Sequence, residues 1–227
     1  REIGVHQNYA PVADVNNNPE NPVINTRSFS DDRELVAELA EAFTRGMNDG
    51  NLVSTAKHFP GHGDTDVDSH LHLPTLPYTR RRLDSLELYP FKRVIDSGVK
   101  SVMIGHLSVP SIDATNDLPA TLSSSLMTDL LRKQLAFKGL VVTDAMDMMG
   151  VARGFSNADA SVRAIQSGAD VLLLPENEDG AVNALIAAVK SGEIPEARLN
   201  ESVRRVLAVK QWLGLERNRI VAIDKIS

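Results

Sequence analysis

The chain has 227 residues, and its 24 lysines and arginines against 30 aspartates and glutamates give a formal net charge of −6. This balance argues against a basic surface for nucleic acid, and the content of 42% hydrophobic and 24% charged residues is typical of a globular protein rather than a disordered one. No apolar run approaches the roughly 18 to 20 residues that cross a bilayer, and the absence of cysteine excludes disulfides, thiolate metal sites and cysteine nucleophiles.

Short runs rich in β-branched residues alternate along the chain with helical patterns. The strand candidates are residues 3–15, 52–59, 99–105, 139–143 and 170–174. The helical patterns cover residues 31–48, 86–97, 123–134, 158–167, 179–190 and 199–212. Several strand candidates are apolar on both faces, as parallel strands covered by helices are. The alternation predicts an α/β fold that is either an open doubly wound sheet or a closed barrel.

Two features favour the barrel. The glycine-rich dinucleotide fingerprint is missing, and polar residues cluster where strand candidates end, as they do at the active face of a barrel. Five strand candidates are three fewer than an eight-stranded barrel needs, so the count predicts a barrel that lacks its first strands. Residues 1–214 are predicted to form this part, and residues 215–227 are predicted to be a linker towards a further segment or domain.

Residues 58–72 are the densest concentration of titratable groups, with four of the six histidines and three aspartates. The glycines and Pro60 predict a loop after a strand. Asp68 and His70 could form a dyad in which the carboxylate orients an imidazole for acid and base work. A polar loop without chemistry and a metal site are the alternatives, although the helical His-Glu-x-x-His spacing of many zinc sites is absent. The metal site would use His58, His62, His70, His72 and a carboxylate.

Asp144 follows the apolar residues 139–143 and therefore stands where a strand candidate ends. A carboxylate at this place points into the mouth of a barrel, where it could attack a substrate. Together with an acid/base dyad on a neighbouring loop, it suggests retaining glycoside hydrolysis. The acid would then be a histidine instead of the usual second carboxylate.

A family resemblance rests on several of these segments taken together. Lys57-His58-Phe59-Pro60-Gly61-His62-Gly63, then Asp68-Ser69-His70, then Thr143-Asp144-Ala145-Met146 resemble the β-N-acetylglucosaminidases of glycoside hydrolase family 3. Ala10-Pro11-Val12-Ala13-Asp14-Val15, Asn25-Thr26-Arg27-Ser28-Phe29 and Val102-Met103-Ile104-Gly105-His106 are similar to strand-end segments of that family, in the same order. The similarity runs through roughly residues 3–175.

The resemblance implies a (β/α)8 barrel of the triosephosphate-isomerase type, of which this chain holds about the last five strand–helix units. It implies that Asp144 is the nucleophile, His70 the acid/base and Asp68 its orienting partner. It also implies that the loop at residues 61–72 is mobile and swings His70 over the sugar. The positions that match the family's sugar contacts, or stand beside them, are Asp14, Arg27, Lys57, His58 and His106.

The residues together with the resemblance predict a retaining exo-β-N-acetylglucosaminidase, and the resemblance implies that it removes terminal N-acetylglucosamine from peptidoglycan fragments or related glycans. No cofactor and no metal is expected, and the expected partners are the carbohydrate, a missing N-terminal barrel segment and a C-terminal domain. The long turn at residues 16–23 resembles envelope-associated members of the family and favours export in a bacterium. A metal-dependent hydrolase, a β-N-acetylglucosaminide phosphorylase and an inactive sugar-binding barrel remain as alternatives.

Overall fold

The computed structural model describes residues 3–115 and 117–217. The strands are β1 (Gln7–Asn8), β2 (Val53–Phe59), β3 (Ser101–Ile104), β4 (Leu140–Ala145) and β5 (Val171–Leu173). The α-helices are α1 (Arg33–Asp49), α2 (Arg80–Ser85), α3 (Leu88–Asp96), α4 (Met149–Ala152), α5 (Asn157–Ser167), α6 (Glu178–Ser191) and α7 (Glu196–Trp212). Two short 3-10 helices cover Asn25–Arg27 and Ala120–Leu122, and a π-helix covers Ser125–Gln134.

Each strand pairs in parallel with the next strand along the chain, in the order β1-β2-β3-β4-β5. A right-handed crossover between neighbouring parallel strands places every connecting helix on the same face. The doubly wound alternative is therefore wrong, because its strand order reverses at a switch point. The predicted α/β alternation is confirmed, and the strands form a curled parallel half-barrel.

The first strand is much shorter than the predicted range of 3–15. Only Gln7–Asn8 form regular strand, although the carbonyls of Ala10 and Pro11 still accept hydrogen bonds from Thr55 and Lys57 at 2.7 and 3.1 Å. Pro11 has no N–H to donate, so the regular ladder is interrupted while the segment continues beside β2. This irregular course carries the chain on to the carboxyl end of the sheet.

The helices differ from prediction in detail. The pattern predicted at residues 86–97 corresponds to α3 alone, and the preceding helix α2 was not predicted. Within the pattern at 123–134, Ser125–Gln134 form a π-helix instead of an α-helix. The predicted linker at 215–227 is described only as far as residue 217, and its remainder lies outside the described residues. Among the helices of the described ranges, none is both long and apolar enough to cross a membrane.

The centre of the hydrophobic core is formed by β2, β3 and β4. Ala56, Phe59, Val102 and Ile104 are fully shielded from solvent. Phe59 meets Phe91 of α3 edge to face, with ring centroids 5.3 Å apart. Such close packing keeps the backbone of these strands in place, and the side chains that follow them are therefore held on a rigid edge.

Asp170, which precedes β5, ties several elements together beneath the core. One carboxylate oxygen accepts hydrogen bonds from Arg132 at 2.5 Å and from the Val141 backbone at 2.9 Å, and the other accepts from Ser202 at 2.6 Å and Arg205 at 3.0 Å. The Asp170 side chain is completely shielded from solvent. One buried carboxylate thus joins the π-helix, β4, β5 and α7.

We expect Asp170→Asn to lower the free energy of unfolding by about 3 kcal/mol, because it leaves shielded guanidinium groups without their counter-charge. The control is Asp129→Asn, which removes an exposed ion pair with Lys133 and should cost less than about 0.5 kcal/mol. Urea denaturation of both variants measures the difference. Equal stability of the two variants would contradict this role for Asp170.

Candidate active site

A cavity of about 320 Å³ lies at the carboxyl ends of the strands. Five of the eight residues predicted to hold or act on the sugar line it, namely Arg27, Lys57, His58, His70 and Asp144, and His62 lines it as well. Its wall does not include Asp14, Asp68 or His106. The structure thus brings the predicted nucleophile and the predicted acid/base to one cavity. Asp14 and His106 are buried outside its wall, and Asp68 lies beside His70 on the exposed loop.

Asp144 is the fifth of the six residues of β4, at the edge where the core ends. It is half-buried, and one oxygen accepts a hydrogen bond from the Ala145 backbone N–H at 2.9 Å. This bond holds the carboxylate and leaves its second oxygen for the cavity. A partly desolvated carboxylate fixed in this way is suited to attack an electrophilic carbon.

Asp68 and His70 form the predicted pair on the loop after β2. The Nδ1–H of His70 donates to Asp68 over 2.7 Å, and the His70 backbone N–H donates to the same oxygen over 2.8 Å. Burial alone would raise the pKa of Asp68, but these two donors lower it below its ordinary value. The carboxylate therefore stays ionised and orients the imidazole, so that proton exchange with a ligand falls to Nε2.

Asp14 is buried beneath the cavity and organises the turn that carries His58 and His62. Its carboxylate accepts from the His58 backbone N–H at 3.1 Å, from His58 Nδ1–H at 2.8 Å and from the His62 backbone N–H at 2.7 Å. Burial would raise the pKa of Asp14, but His58 and His62 lower it below its ordinary value. In this structure Asp14 therefore acts as a support, and its predicted sugar contact stays a prediction.

Arg27 and Lys57 form the cationic part of the cavity wall. A guanidinium nitrogen of Arg27 lies 3.4 Å from His58 Nε2, the ring nitrogen that remains an acceptor when Nδ1–H donates to Asp14. Burial lowers the pKa of Lys57, and the nearby charge of Arg27 lowers it further. Both groups donate hydrogen bonds, which suits the recognition of sugar hydroxyls.

His106 supports the backbone beside Asp144, and it is not among the residues that line the cavity. Its ring bridges Thr121 Oγ1 and the Ala145 carbonyl oxygen, each at 2.8 Å. Because a carbonyl only accepts, Nε2 must carry a proton, and Nδ1 accepts from the threonine hydroxyl. Burial lowers the pKa of His106, which keeps the ring neutral. In this structure the side chain contacts the residue after Asp144, and its predicted contact with sugar stays a prediction.

The histidines of residues 58–72 do not converge on a common point. His58 is held by Asp14, His62 by Thr65 and Ser69, and His72 lies 3.2 Å from Arg153. Across residues 3–115 and 117–217, no three histidine, aspartate or glutamate side chains are grouped so that they could hold a metal ion. The metal-site interpretation of this cluster is therefore not supported by its geometry.

Sequence reasoning missed several residues of the cavity wall: Tyr9, Val23, Ser69, Met103 and Leu173. Met103 and Leu173 lie inside strand candidates, where an apolar side chain gives no sign of facing a ligand. Burial raises the pKa of the Tyr9 phenol, so this hydroxyl remains a neutral donor. Tyr9 also lies inside a strand candidate, at residues 3–15, and only the structure shows that β1 ends at Asn8 and leaves Tyr9 at the edge of the sheet.

We expect His62 to make stability depend on pH. Burial lowers its pKa to about 4, whereas the unfolded chain titrates near 6.5. Between these values the unfolded chain binds the proton and the folded chain does not, so stability falls as the pH drops. When the pH is lowered from 7 to 4.5, the free energy of unfolding of the wild type should fall by roughly 2 to 3 kcal/mol more than that of His62→Gln, because the glutamine at position 62 does not titrate.

Urea denaturation of both proteins at the two pH values measures this difference. The other titrating groups are common to both proteins, and the His62 backbone N–H that donates to Asp14 is retained in His62→Gln. An identical pH dependence for the wild type and His62→Gln would show that His62 is not a buried neutral ring.

Comparison with known proteins shows which family and which solved structures this chain resembles. The family model for the glycosyl hydrolase family 3 N terminal domain matches residues 1–209. Beta-hexosaminidase A of Pseudoalteromonas piscicida is 34% identical over 230 residues, which cover 93% of this chain and 38% of that protein. A structure of a glycoside hydrolase family 3 beta-N-acetylglucosaminidase from Paenibacillus sp. str. FPU-7 has a TM-score of 0.94 and 43% identity, over 99% of this chain and 43% of that one.

A second solved structure, of the beta-glucoside phosphorylase BglX, has a TM-score of 0.93 and 30% identity, over 97% of this chain and 41% of that one. The chain thus spans less than half the length of each of these three proteins. The matched family model covers both the Asp68–His70 loop and Asp144. The chain belongs to glycoside hydrolase family 3, of which it matches the N-terminal domain.

Proposed function

We propose that the chain is the catalytic part of a retaining exo-β-N-acetylglucosaminidase. The observation that carries this proposal is that Asp144 and the Asp68-paired His70 line one cavity. A nucleophilic carboxylate and a separate proton donor are the two groups that double displacement at a glycosidic carbon requires. The names of the hexosaminidase relatives support an acetamido sugar as the substrate.

In the first step, a carboxylate oxygen of Asp144 attacks the anomeric carbon while His70 Nε2–H protonates the departing glycosidic oxygen. The imidazolium that this requires is stabilised by Asp68 through Nδ1–H. In the second step, neutral His70 takes a proton from water at Nε2, and the resulting hydroxide attacks the anomeric carbon and releases Asp144. The two inversions give net retention.

Arg27, Lys57 and His58 are proposed to hold the sugar by hydrogen bonds to its hydroxyls. All three line the cavity: Arg27 and Lys57 offer charged donors, and His58 offers Nε2 as an acceptor, fixed by the bond of its Nδ1–H to Asp14. A directional set of donors and acceptors determines the pose of the sugar and brings its anomeric carbon to Asp144. Tyr9 adds a neutral hydroxyl donor to the same wall.

We further propose that residues 1–214 belong to a complete (β/α)8 barrel and that residues 215–227 are a linker to a further domain. Leu199, Val203 and Leu207 form an apolar stripe on α7, and they are 37%, 45% and 57% exposed. Within the described residues, β1 and β5 each pair on one side only. A further barrel segment would cover this stripe and these strand edges.

Peptidoglycan fragments in the cell envelope of a bacterium are the proposed natural substrate. Phosphorolysis is the second candidate, because the similar BglX structure is named as a phosphorylase. In that reaction phosphate replaces water in the second step and releases a sugar 1-phosphate. The step on Asp144 is the same in both reactions.

The intact protein should cleave an aryl N-acetyl-β-glucosaminide at least 100-fold faster than the matching aryl β-glucoside, with excess chelator and without phosphate. Chromatography then identifies the product, with and without added phosphate. Free N-acetylglucosamine in both cases supports hydrolysis, and a sugar 1-phosphate supports the second candidate. Loss of turnover with chelator would favour a metal-dependent hydrolase, and sugar binding without any turnover would indicate an inactive barrel.

We expect Asp144→Asn to lower kcat about 10⁴-fold, because the amide is a very poor nucleophile. Asp147→Asn is the matched control, since this carboxylate is three residues further on and exposed, and it should leave kcat within about twofold. Steady-state kinetics on an aryl N-acetylglucosaminide makes the comparison. Near wild-type turnover by Asp144→Asn would remove Asp144 from the mechanism.

The loss of kcat/KM caused by His70→Ala should depend on the leaving group of the substrate. A glycosidic oxygen that leaves poorly needs protonation, so kcat/KM should fall about 10³-fold for an alkyl aglycone and less than about tenfold for a dinitrophenyl aglycone. Both substrates are measured on one preparation. Equal losses for the two aglycones would argue against an acid role for His70.

A further inference from the structure

Ser69 is buried between the two members of the dyad. Its exposed fraction is 1%, whereas the side chains of Asp68 and His70 are 32% and 60% exposed. Its hydroxyl bonds to the His62 ring and its carbonyl to the Gly150 backbone. We propose that Ser69, held between His62 and Gly150, is the positioning residue that holds His70 relative to Asp144 in this conformation of the loop. This inference rests on the proposed function.

His62 holds the Ser69 hydroxyl from beneath the loop. Thr65 Oγ1 donates its proton to the His62 carbonyl at 3.1 Å, so it accepts from the His62 ring at Nδ1 over 2.7 Å. Nε2 is then the acceptor for the Ser69 hydroxyl at 2.9 Å. The His62 backbone in turn donates to buried Asp14 at 2.7 Å. A continuous hydrogen-bonded path therefore connects Ser69 to the rigid end of the sheet.

Gly150 holds the backbone of the loop from the side. Its N–H donates to the Ser69 carbonyl at 3.2 Å, and the Met149 N–H donates to the His70 carbonyl at 3.3 Å. A Cβ added at Gly150 would lie 2.9 Å from the Ser69 carbonyl oxygen and 3.1 Å from His106 Cβ. The missing side chain is thus what allows the loop to approach so closely.

These contacts connect the acid/base to the nucleophile through a short path. Gly150 lies only six residues after Asp144. It belongs to the segment that leads from the end of β4 into the first turn of α4. His106, which holds the carbonyl next to Asp144, packs against the same glycine. The loop that carries His70 is therefore attached to the element that carries Asp144. Loosening this attachment should impair proton transfer while the nucleophile stays in place.

The first test is Ser69→Ala in the intact protein, with Ser54→Ala as the control. Ser54 is also a buried serine, but its hydroxyl has no hydrogen-bond partner, so its loss should be neutral. We expect Ser69→Ala to lower kcat/KM on the order of tenfold for an alkyl aglycone and less than about twofold for a dinitrophenyl aglycone. Ser54→Ala should change neither value.

The ratio of the two substrates on one preparation does not depend on the folded fraction, so partial unfolding cannot imitate this result. An unchanged ratio in Ser69→Ala, whether both values fall together or neither falls, would overturn the proposal.

The second test compares alanine substitutions at two glycines. Gly150→Ala should displace the loop and show the same selective loss, on the order of tenfold or more for the alkyl aglycone. Gly154→Ala is the control, because an added Cβ there would meet nothing closer than 4.0 Å. The proposal fails if both alanine variants have the wild-type ratio.

Nitrogen-15 NMR of the imidazole rings tests the His62 contact without any substrate. We expect His62 to be the Nδ1–H tautomer, with an Nε2 signal that moves in Ser69→Ala and stays unchanged in Ser54→Ala. The proposal would be overturned if His62 were the Nε2–H tautomer, or if the chemical shift of its Nε2 were the same in Ser69→Ala as in the wild type. A protein that cleaves no glycoside would instead contradict the proposed function, and this spectrum would still decide whether Ser69 is held by His62.

Discussion

The buried carboxylate of Asp14 is the contact on which the arrangement of the site depends. A carboxylate removed from water must be fully hydrogen-bonded, and Asp14 meets this demand with donors from His58 and His62. The requirement fixes the sharp turn after β2, because two backbone N–H groups of this turn must point at one residue. His58 is thereby held at the cavity wall, and His62 is held beneath the loop that follows.

From this buried contact, the polar groups become progressively more exposed towards the cavity. His62 is shielded and neutral, Ser69 is buried above it, and the His70 ring is mostly exposed at the end of the path. Asp144 belongs to a different strand and is held by its own backbone neighbour. This division suits a two-step reaction, since the nucleophile must stay in line with the sugar while the acid/base exchanges protons with solvent.

The sequence predicts the fold well where the signal is periodic and local. β3, β4 and β5 could be located because their runs are apolar on both faces, and β2 could be located from its β-branched residues. The first strand was overestimated because Pro11 interrupts pairing that the apolar pattern alone does not reveal. Asp68 and His70 could be paired because they are two residues apart in one turn. Asp14 and His106 stand at the ends of strand candidates, as residues that line a cavity do, and only their tertiary contacts show that they are buried outside the cavity wall. The spacing of residues along the sequence does not show whether such a side chain lines the cavity or packs behind it.

The central claim is that Asp144 becomes covalently attached to the sugar, and one measurement tests it most directly. In His70→Ala, a dinitrophenyl N-acetyl-β-glucosaminide should still react in the first step, while the second step lacks its base and the intermediate accumulates. Peptide mass spectrometry of the quenched intact protein should then find one N-acetylglucosaminyl group, on Asp144. An adduct on another residue, or no adduct together with an inverted product, would contradict the account.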